Sequence, residues 1–189
     1  MKLSRIISIM LCAVILVGVI GFAVPAYAVS NTAIGLSDFE IKIGKTKVNL
    51  ATCIAQDVAK AAKKKITRNE IEGIAKTTEG TFTFQNTSAS SAEFDTFVAA
   101  ILSKKAITSR GIKLGSTRAK LLEAYPAPIE SWSDKNAYYY RFCAAKTFEE
   151  WYALEQNSVE ERVARLAICI TVSKKTNKVS KIEFGRYWG

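Results

Sequence analysis

Apolar and polar residues alternate through residues 38–44. Phe39, Ile41 and Ile43 point one way, and Glu40 and Lys42 the other, which is the period of a half-buried strand. A turn at Lys45 and Thr46 leads into a second short strand, 47–50. Thr52 is placed to cap a helix running to about Lys65. Ile54, Val58, Ala61 and Ala62 form its apolar stripe, and Lys63, Lys64 and Lys65 fill its last turn, where cations suit the helix dipole. Residues 66–80 are ambiguous and compatible with a short second helix. Phe82 and Phe84 alternate with polar partners in a strand over 81–86, and 97–103 is a further strand. After an extended stretch, 108–115, Ser116 caps a helix over 117–124 that Pro126 and Pro128 stop. An aromatic-rich strand covers 137–144. Thr147 caps a helix over 148–162, with Phe148, Trp151, Tyr152 and Val159 as its apolar points. Leu166, Ile168, Ile170 and Val172 mark a strand over 165–173. Thr176, Asn177 and Lys178 then turn the chain into a last strand, 179–187.

Two stretches offset by 64 residues say the same thing physically. Val48, Leu50, Ala51, Thr52, Ala55 and Val58 correspond to Ile112, Leu114, Gly115, Ser116, Ala119 and Leu122. In each, an apolar extended piece enters a tight turn, a hydroxyl caps a helix, and strands follow. The fold expected is α+β, with helices packed on antiparallel β-sheet in a tandem of two related halves, 29–107 and 108–189.

The stretch from Thr108 through Gly111, Ile112, Leu114, Gly115 and Thr117, with Leu121, Leu122, Tyr125 and Pro126, and the ending Val179–Phe184, resemble a motif of small secreted bacterial proteins. These are the group of the β-lactamase inhibitory protein and the small lipoprotein of outer-membrane assembly. The resemblance implies a helical layer on an antiparallel sheet, in tandem for the inhibitor. It is best over 108–189 and weaker over 39–107. Pro126 stands where the group has glycine, and the lipidated cysteine of the lipoprotein is missing. No inhibitory or assembly residue carries over.

The N-terminus carries Lys2 and Arg5, an apolar run over 6–24, a break at Pro25 and Ala26-Tyr27-Ala28. That is a secretory signal peptide over 1–28, with cleavage expected after Ala28. The alternative is an uncleaved anchor, since the run approaches the roughly 20 apolar residues of a spanning helix. Cys12 follows the large Leu11 and sits within the run, so lipid attachment there is disfavoured. Without residues 1–28, Lys and Arg number 25 and Asp and Glu 17, a net charge of +8. Cys53, Cys143 and Cys169 remain, an odd set that cannot all pair within one chain. One bond between Cys143 and Cys169 is one reading, and buried free thiols the other.

The chain has no histidine. This excludes Ser-His-Asp and Cys-His nucleophiles as usually built and His-containing zinc sites. Neither a phosphate loop nor a Gly-x-Ser-x-Gly elbow is present. The pairs Glu149-Glu150 and Glu160-Glu161 are adjacent on a helix, about 100° apart, so neither pair faces one bond. No catalytic residue, cofactor or metal ligand is assigned. Lysines and arginines cluster over 60–68, 104–120 and 174–181, where they attract anionic partners or solubilise exposed faces. Asn86-Thr87-Ser88 matches a glycosylation acceptor. Tyr138 and Tyr140 are read as one strand face, Tyr139 and Phe142 as the other. The candidate binding residues are Trp132, Tyr138, Tyr140, Tyr187, Trp188, Lys113 and Arg118, since Tyr, Trp and Arg dominate binding hot spots. The expected function is a secreted, non-enzymatic binding module whose partner is a protein or an anionic envelope polymer. Nucleic acid is not expected, nor is membrane contact except through an uncleaved signal segment. The alternative is an envelope-processing hydrolase whose carboxylates, among them Asp57, Glu72, Asp95 and Asp134, converge in one pocket.

Overall fold

A computed structural model describes residues 33–68, 72–85, 96–145, 149–150 and 165–186. A 3-10 turn at Leu36–Phe39 leads into the hairpin β1 (Glu40–Ile43) and β2 (Thr46–Asn49), followed by helix α1 (Ala55–Ala62). The strands β3 (Thr67–Arg68), β4 (Glu72–Lys76), β5 (Gly80–Gln85) and β6 (Thr96–Leu102) follow. Next come helix α2 (Arg118–Ala124), β7 (Glu130–Ser133), β8 (Ala137–Phe142), β9 (Leu166–Ser173) and β10 (Lys178–Arg186). Strands β3 to β10 form one antiparallel sheet in the order β3-β4-β5-β6-β10-β9-β8-β7.

This overturns the expected α+β tandem of helices packed on sheet. Among the described residues ten strands stand against two helices of eight and seven residues. All the main strands belong to one sheet instead of two related halves. The stretch 66–80, compatible by pattern with a helix, supplies β3 and β4. Gly73 and Ala75 there are buried, and with no side chain at one and a single methyl at the other the period of two is hidden. β7 follows two prolines with no apolar alternation and is likewise unforeseen. The helix caps also shift. Thr117, not Ser116, accepts from the Lys120 N–H, while Ser116 Oγ accepts from the Lys113 N–H. Asp57 Oδ2, not Thr52, secures the start of α1 by accepting from the Ile54 N–H. The helix expected over 148–162 lies outside the described residues except for Glu149 and Glu150, which are helical.

Register sorts the sheet into two faces. Phe82, Ala100, Phe184, Ile168 and Phe142 stand side by side across β5, β6, β10, β9 and β8, and all are buried. This inner face carries the core, covered by the β1–β2 hairpin, α1 and α2. Phe39 meets Phe184 edge-on at 6.2 Å, and Tyr125 of the α2 C-terminus lies 4.6 Å from Phe142, centroid to centroid. The neighbouring row, Thr81, Ile101, Glu183, Cys169, Arg141 and Glu130, belongs to the outer face.

A polar strap holds the N-terminal segment onto the second part of the chain. Arg110 donates Nε to Asp38 Oδ1 at 2.6 Å and Nη2 to Oδ2 at 2.9 Å, a bidentate pair. Its Nη1 also donates to the Ala124 carbonyl and its Nη2 to that of Ala33. Burial pushes the Asp38 carboxyl upward. The Arg110 hydrogen bond, the Gly35 N–H, the Arg110 charge and the Ser109 hydroxyl outweigh this and hold it below its ordinary value. A depressed carboxylate contributes stability that is complete above its unfolded value, about pH 4, and disappears as the pH falls through the folded value.

Asp38→Asn is expected to cost about 2 kcal/mol at pH 7, because it removes the charged partner of the partly buried Arg110 guanidinium. Urea denaturation should show the gap from the unchanged chain narrowing below about pH 4. Gly80→Ala is expected to cost about 1–3 kcal/mol, since the new Cβ would sit 2.4 Å from the Ile101 carbonyl oxygen. Gly35→Ala, where the added carbon meets nothing within 4 Å, should leave the urea midpoint nearly unchanged.

Candidate functional site

A groove opens on the outer face where β10, β9, β8 and β7 run side by side. Lys181, Thr171, Tyr139 and Trp132 form one row there. Together with Glu183, Cys169, Ala99, Gly185 and Arg186 they line a groove of about 550 Å³. Its rim is the β7–β8 hairpin. Asp134 builds the turn, with Oδ1 accepting from the Asn136 and Ala137 N–H groups. Its Oδ2 accepts from the Tyr139 hydroxyl at 2.9 Å. The backbone N–H of Asn136, then the Tyr139 hydroxyl, hold the Asp134 carboxyl below its ordinary value, and the same bond raises Tyr139. Trp132 stacks on the fixed Tyr139 ring at 5.2 Å with planes 10° apart. It keeps 43% of its surface exposed.

Beneath this pair the Arg141 guanidinium lies 5.5 Å from the Trp132 ring. It makes a close ion pair with Glu130. Arg141 is buried, so its charge is matched across the β7–β8 ladder instead of standing in solvent. On the far side of the groove Lys181 Nζ and Glu183 Oε1 pair at 2.7 Å. Burial raises the Cys169 thiol, outweighing the nearby Arg141, so it is not a thiolate nucleophile at neutral pH. The chemistry present is aromatic surface, paired charges and hydroxyls.

A second cluster lies at the same end of the sheet on its inner face. Arg118 Nε donates to the Tyr140 hydroxyl, and its guanidinium lies 4.1 Å from the Tyr138 ring. Lys174 Nζ is 4.9 Å from the same ring and reaches Ser133 Oγ at 3.4 Å. Two cations thus share one tyrosine, a contact worth about 0.5–1 kcal/mol when exposed.

The structure therefore brings Arg118, Tyr138 and Tyr140 together, and places Trp132 apart from them on the outer face. Tyr140 is 5% exposed and belongs to the core, so it offers the surface little but its hydroxyl. Phe142 shares the face of Tyr138 and Tyr140 and not that of Tyr139, because a period of two puts even-numbered residues together. Lys113 is exposed and joins neither cluster. Tyr187 and Trp188 lie outside the described residues. Tyr139, Arg141, Lys174 and Lys181 were not singled out from sequence. The parity of 137–142 against the even-numbered apolar set of 166–172 carries the signal for Tyr139 and Arg141. Asp57 is on α1, Glu72 on β4 and Asp134 in the turn between β7 and β8, and Asp95 lies outside the described residues. Among the described residues no three Cys, Asp or Glu cluster in a way that would hold a metal ion. None of the described helices is long and apolar enough to cross a membrane.

The sequence matches no known family profile and no curated protein. A solved structure, that of a cysteine-rich secretory protein from Staphylococcus aureus subsp. aureus Mu50, aligns at a TM-score of 0.36 and 8% identity. The alignment covers 71% of this chain and 44% of that one, so the chain spans less than half the length of that protein. A likeness of this size carries no argument about fold or function.

Cys53, Cys143 and Cys169 are all free thiols. Burial, with the charge of Asp57, pushes Cys53 up to about 12, and burial pushes Cys143 up to about 11. In the folded chain at pH 8 a thiol reagent should leave both unmodified, and all three should react after denaturation. Peptide mass spectrometry checks this, and rapid native labelling of Cys53 would contradict the packing beside α1.

Proposed function

We propose that the chain is an exported, non-enzymatic binding module that takes a protein partner on the outer face of its sheet, with Trp132 and Tyr139 as the anchor. The observation that carries this reading is the rim of the groove. A tryptophan is left nearly half exposed, yet it is stacked on a tyrosine whose own hydroxyl is tied to the turn. Large rigid aromatics lose little conformational freedom on binding, and such residues dominate interface energetics. The groove continues the anchor across Thr171, Lys181 and Glu183 onto Ala99 and Gly185. That is a broad, shallow surface suited to a protein and not to a small buried ligand. The expected signal segment over 1–28 supports a place outside the cytosol. The resemblance of 108–117 and 179–184 to small secreted proteins agrees with the same location.

The test uses immobilised chain 29–189 and an extract of the producing cell's envelope. One protein should be retained saturably. Trp132→Ala with Tyr139→Ala should weaken it by at least about 2 kcal/mol, roughly 30-fold, with an unchanged circular dichroism spectrum. Equal retention by that variant would remove the outer face from the reading. Turnover of an envelope polymer by the purified chain would replace the reading with a hydrolase.

A further inference from the structure

On the opposite side of the sheet, two grooves flank α1. One, of about 380 Å³, runs between the β1–β2 turn and the last turn of the helix, and Lys45, Lys60, Lys63 and Lys64 line it. The other, of about 520 Å³, runs along β2 and holds Lys47 and Lys60. They share Thr46, Lys60 and Ala61, so they form one track with cations on both walls. Lys47 is paired with Glu40 at 3.1 Å. Among the described residues Lys45, Lys60, Lys63 and Lys64 make no salt bridge. The two carboxylates in the track are engaged by backbone. Asp57 accepts from the Ile54 N–H at 3.0 Å, and Glu79 from the Gly44 N–H at 3.2 Å.

Lys63 adds an independent observation. It closes α1 in the left-handed conformation, φ 53 and ψ 42. Glycine is the usual residue at that position because a Cβ is strained there. The chain thus carries a strained backbone at the point that sets a fourth cation beside the track. Nothing in the helix requires a side chain there.

We infer that the lysine track over α1 binds a linear phosphodiester polymer of the cell envelope, one phosphate to each of several ammonium groups. A concave track lined on both walls fits a chain better than a flat bilayer. Among the described residues the large exposed apolar side chains, Leu36, Ile101, Ile107 and Trp132, lie outside both grooves, so none of them is placed to insert into lipid beside the track. Among the described residues no aromatic side chain lines either groove, and single-stranded nucleic acids are held by stacking on such side chains. The track and the aromatic rim use different residues on opposite faces, so either can fail without the other.

The test titrates fluorescently labelled poly(glycerol phosphate) with chain 29–189. Four neutralised phosphates predict a loss of affinity of about 50-fold between 50 and 200 mM salt. Replacing Lys45, Lys60, Lys63 and Lys64 with Gln should abolish most of that binding and its salt dependence. Gln at Lys104, Lys105, Lys135 and Lys175, which removes equal charge elsewhere, should change it less than about two-fold. Lys63→Gly should weaken binding while leaving the melting temperature equal or higher, and Trp132→Ala should leave binding unchanged. Equal losses in the two four-lysine variants, no binding of the probe, or equal affinity for anionic lipid vesicles would each overturn the inference.

Discussion

A short antiparallel seam governs the molecule. Ala99, Ala100 and Ile101 of β6 pair with Gly185, Phe184 and Glu183 of β10, and the strands before and after take their register from that contact. Through it Phe82 and Phe142 fall in one row although three strands separate the ends of that row. A slip of one residue would exchange the faces of everything on one side. Phe184 and Ile168 would turn outward, and Glu183 and Cys169 would enter the core. Burying a glutamate among Phe39, Phe82 and Phe142 would cost several kcal/mol, so the apolar parity of β9 and β10 fixes the register. The seam also needs close approach. Gly185 lies where an added carbon would stand 3.4 Å from the Val98 carbonyl oxygen, and Gly80 leaves still less room beside Ile101.

The parts of this architecture legible in the sequence are those where burial is one-sided and side chains are large. Leu166, Ile168, Ile170 and Val172 announce β9, and Phe39, Ile41 and Ile43 announce β1. Asn177, at a positive φ of 52, marks the turn between β9 and β10. Legibility fails where the pattern is carried by small residues or by none. β4 buries Gly73 and Ala75, and β7 presents Ser131, Trp132 and Ser133 to solvent at a sheet edge. The run Tyr138-Tyr139-Tyr140 fails for the opposite reason. Three like side chains show no alternation, so only register against β9 reveals that Tyr140 meets Ile170 while Tyr139 meets Thr171. The candidate site was half visible for the same reason: Trp132 and Arg118 stand out by type, but Tyr139 and Arg141 stand out only by parity.

The charges divide in a similar way. Arg110 and Arg141 are withdrawn from water and matched at short range, Arg110 by Asp38 and Arg141 by Glu130. A planar guanidinium suits this, because its fixed fork satisfies two acceptors at once. The described lysines are exposed, and they carry most of the positive charge of the described residues. Removing one partner of a buried pair strands a charge, whereas removing a surface lysine barely touches the fold. The fold therefore depends on Arg110 and Arg141, while lysines such as Lys45, Lys60, Lys63 and Lys64 make no salt bridge among the described residues.

The two proposed surfaces hold their side chains in contrasting ways, and the contrast follows from what each must recognise. Trp132 is locked by a stack and a hydrogen-bonded neighbour, so the shape it shows is fixed before contact. Fixed shape confers selectivity for one complementary protein surface. Lys45, Lys60 and Lys64 end in rotatable ammonium groups with no set direction. Such groups follow phosphates along a flexible chain without demanding one geometry, and attract it from a distance near the Debye length, about 8 Å at physiological salt. A rigid aromatic rim and a mobile cationic track would make poor substitutes for each other. On the proposed reading, their separation by the thickness of the sheet would let the molecule hold a polymer with one face and meet a protein with the other.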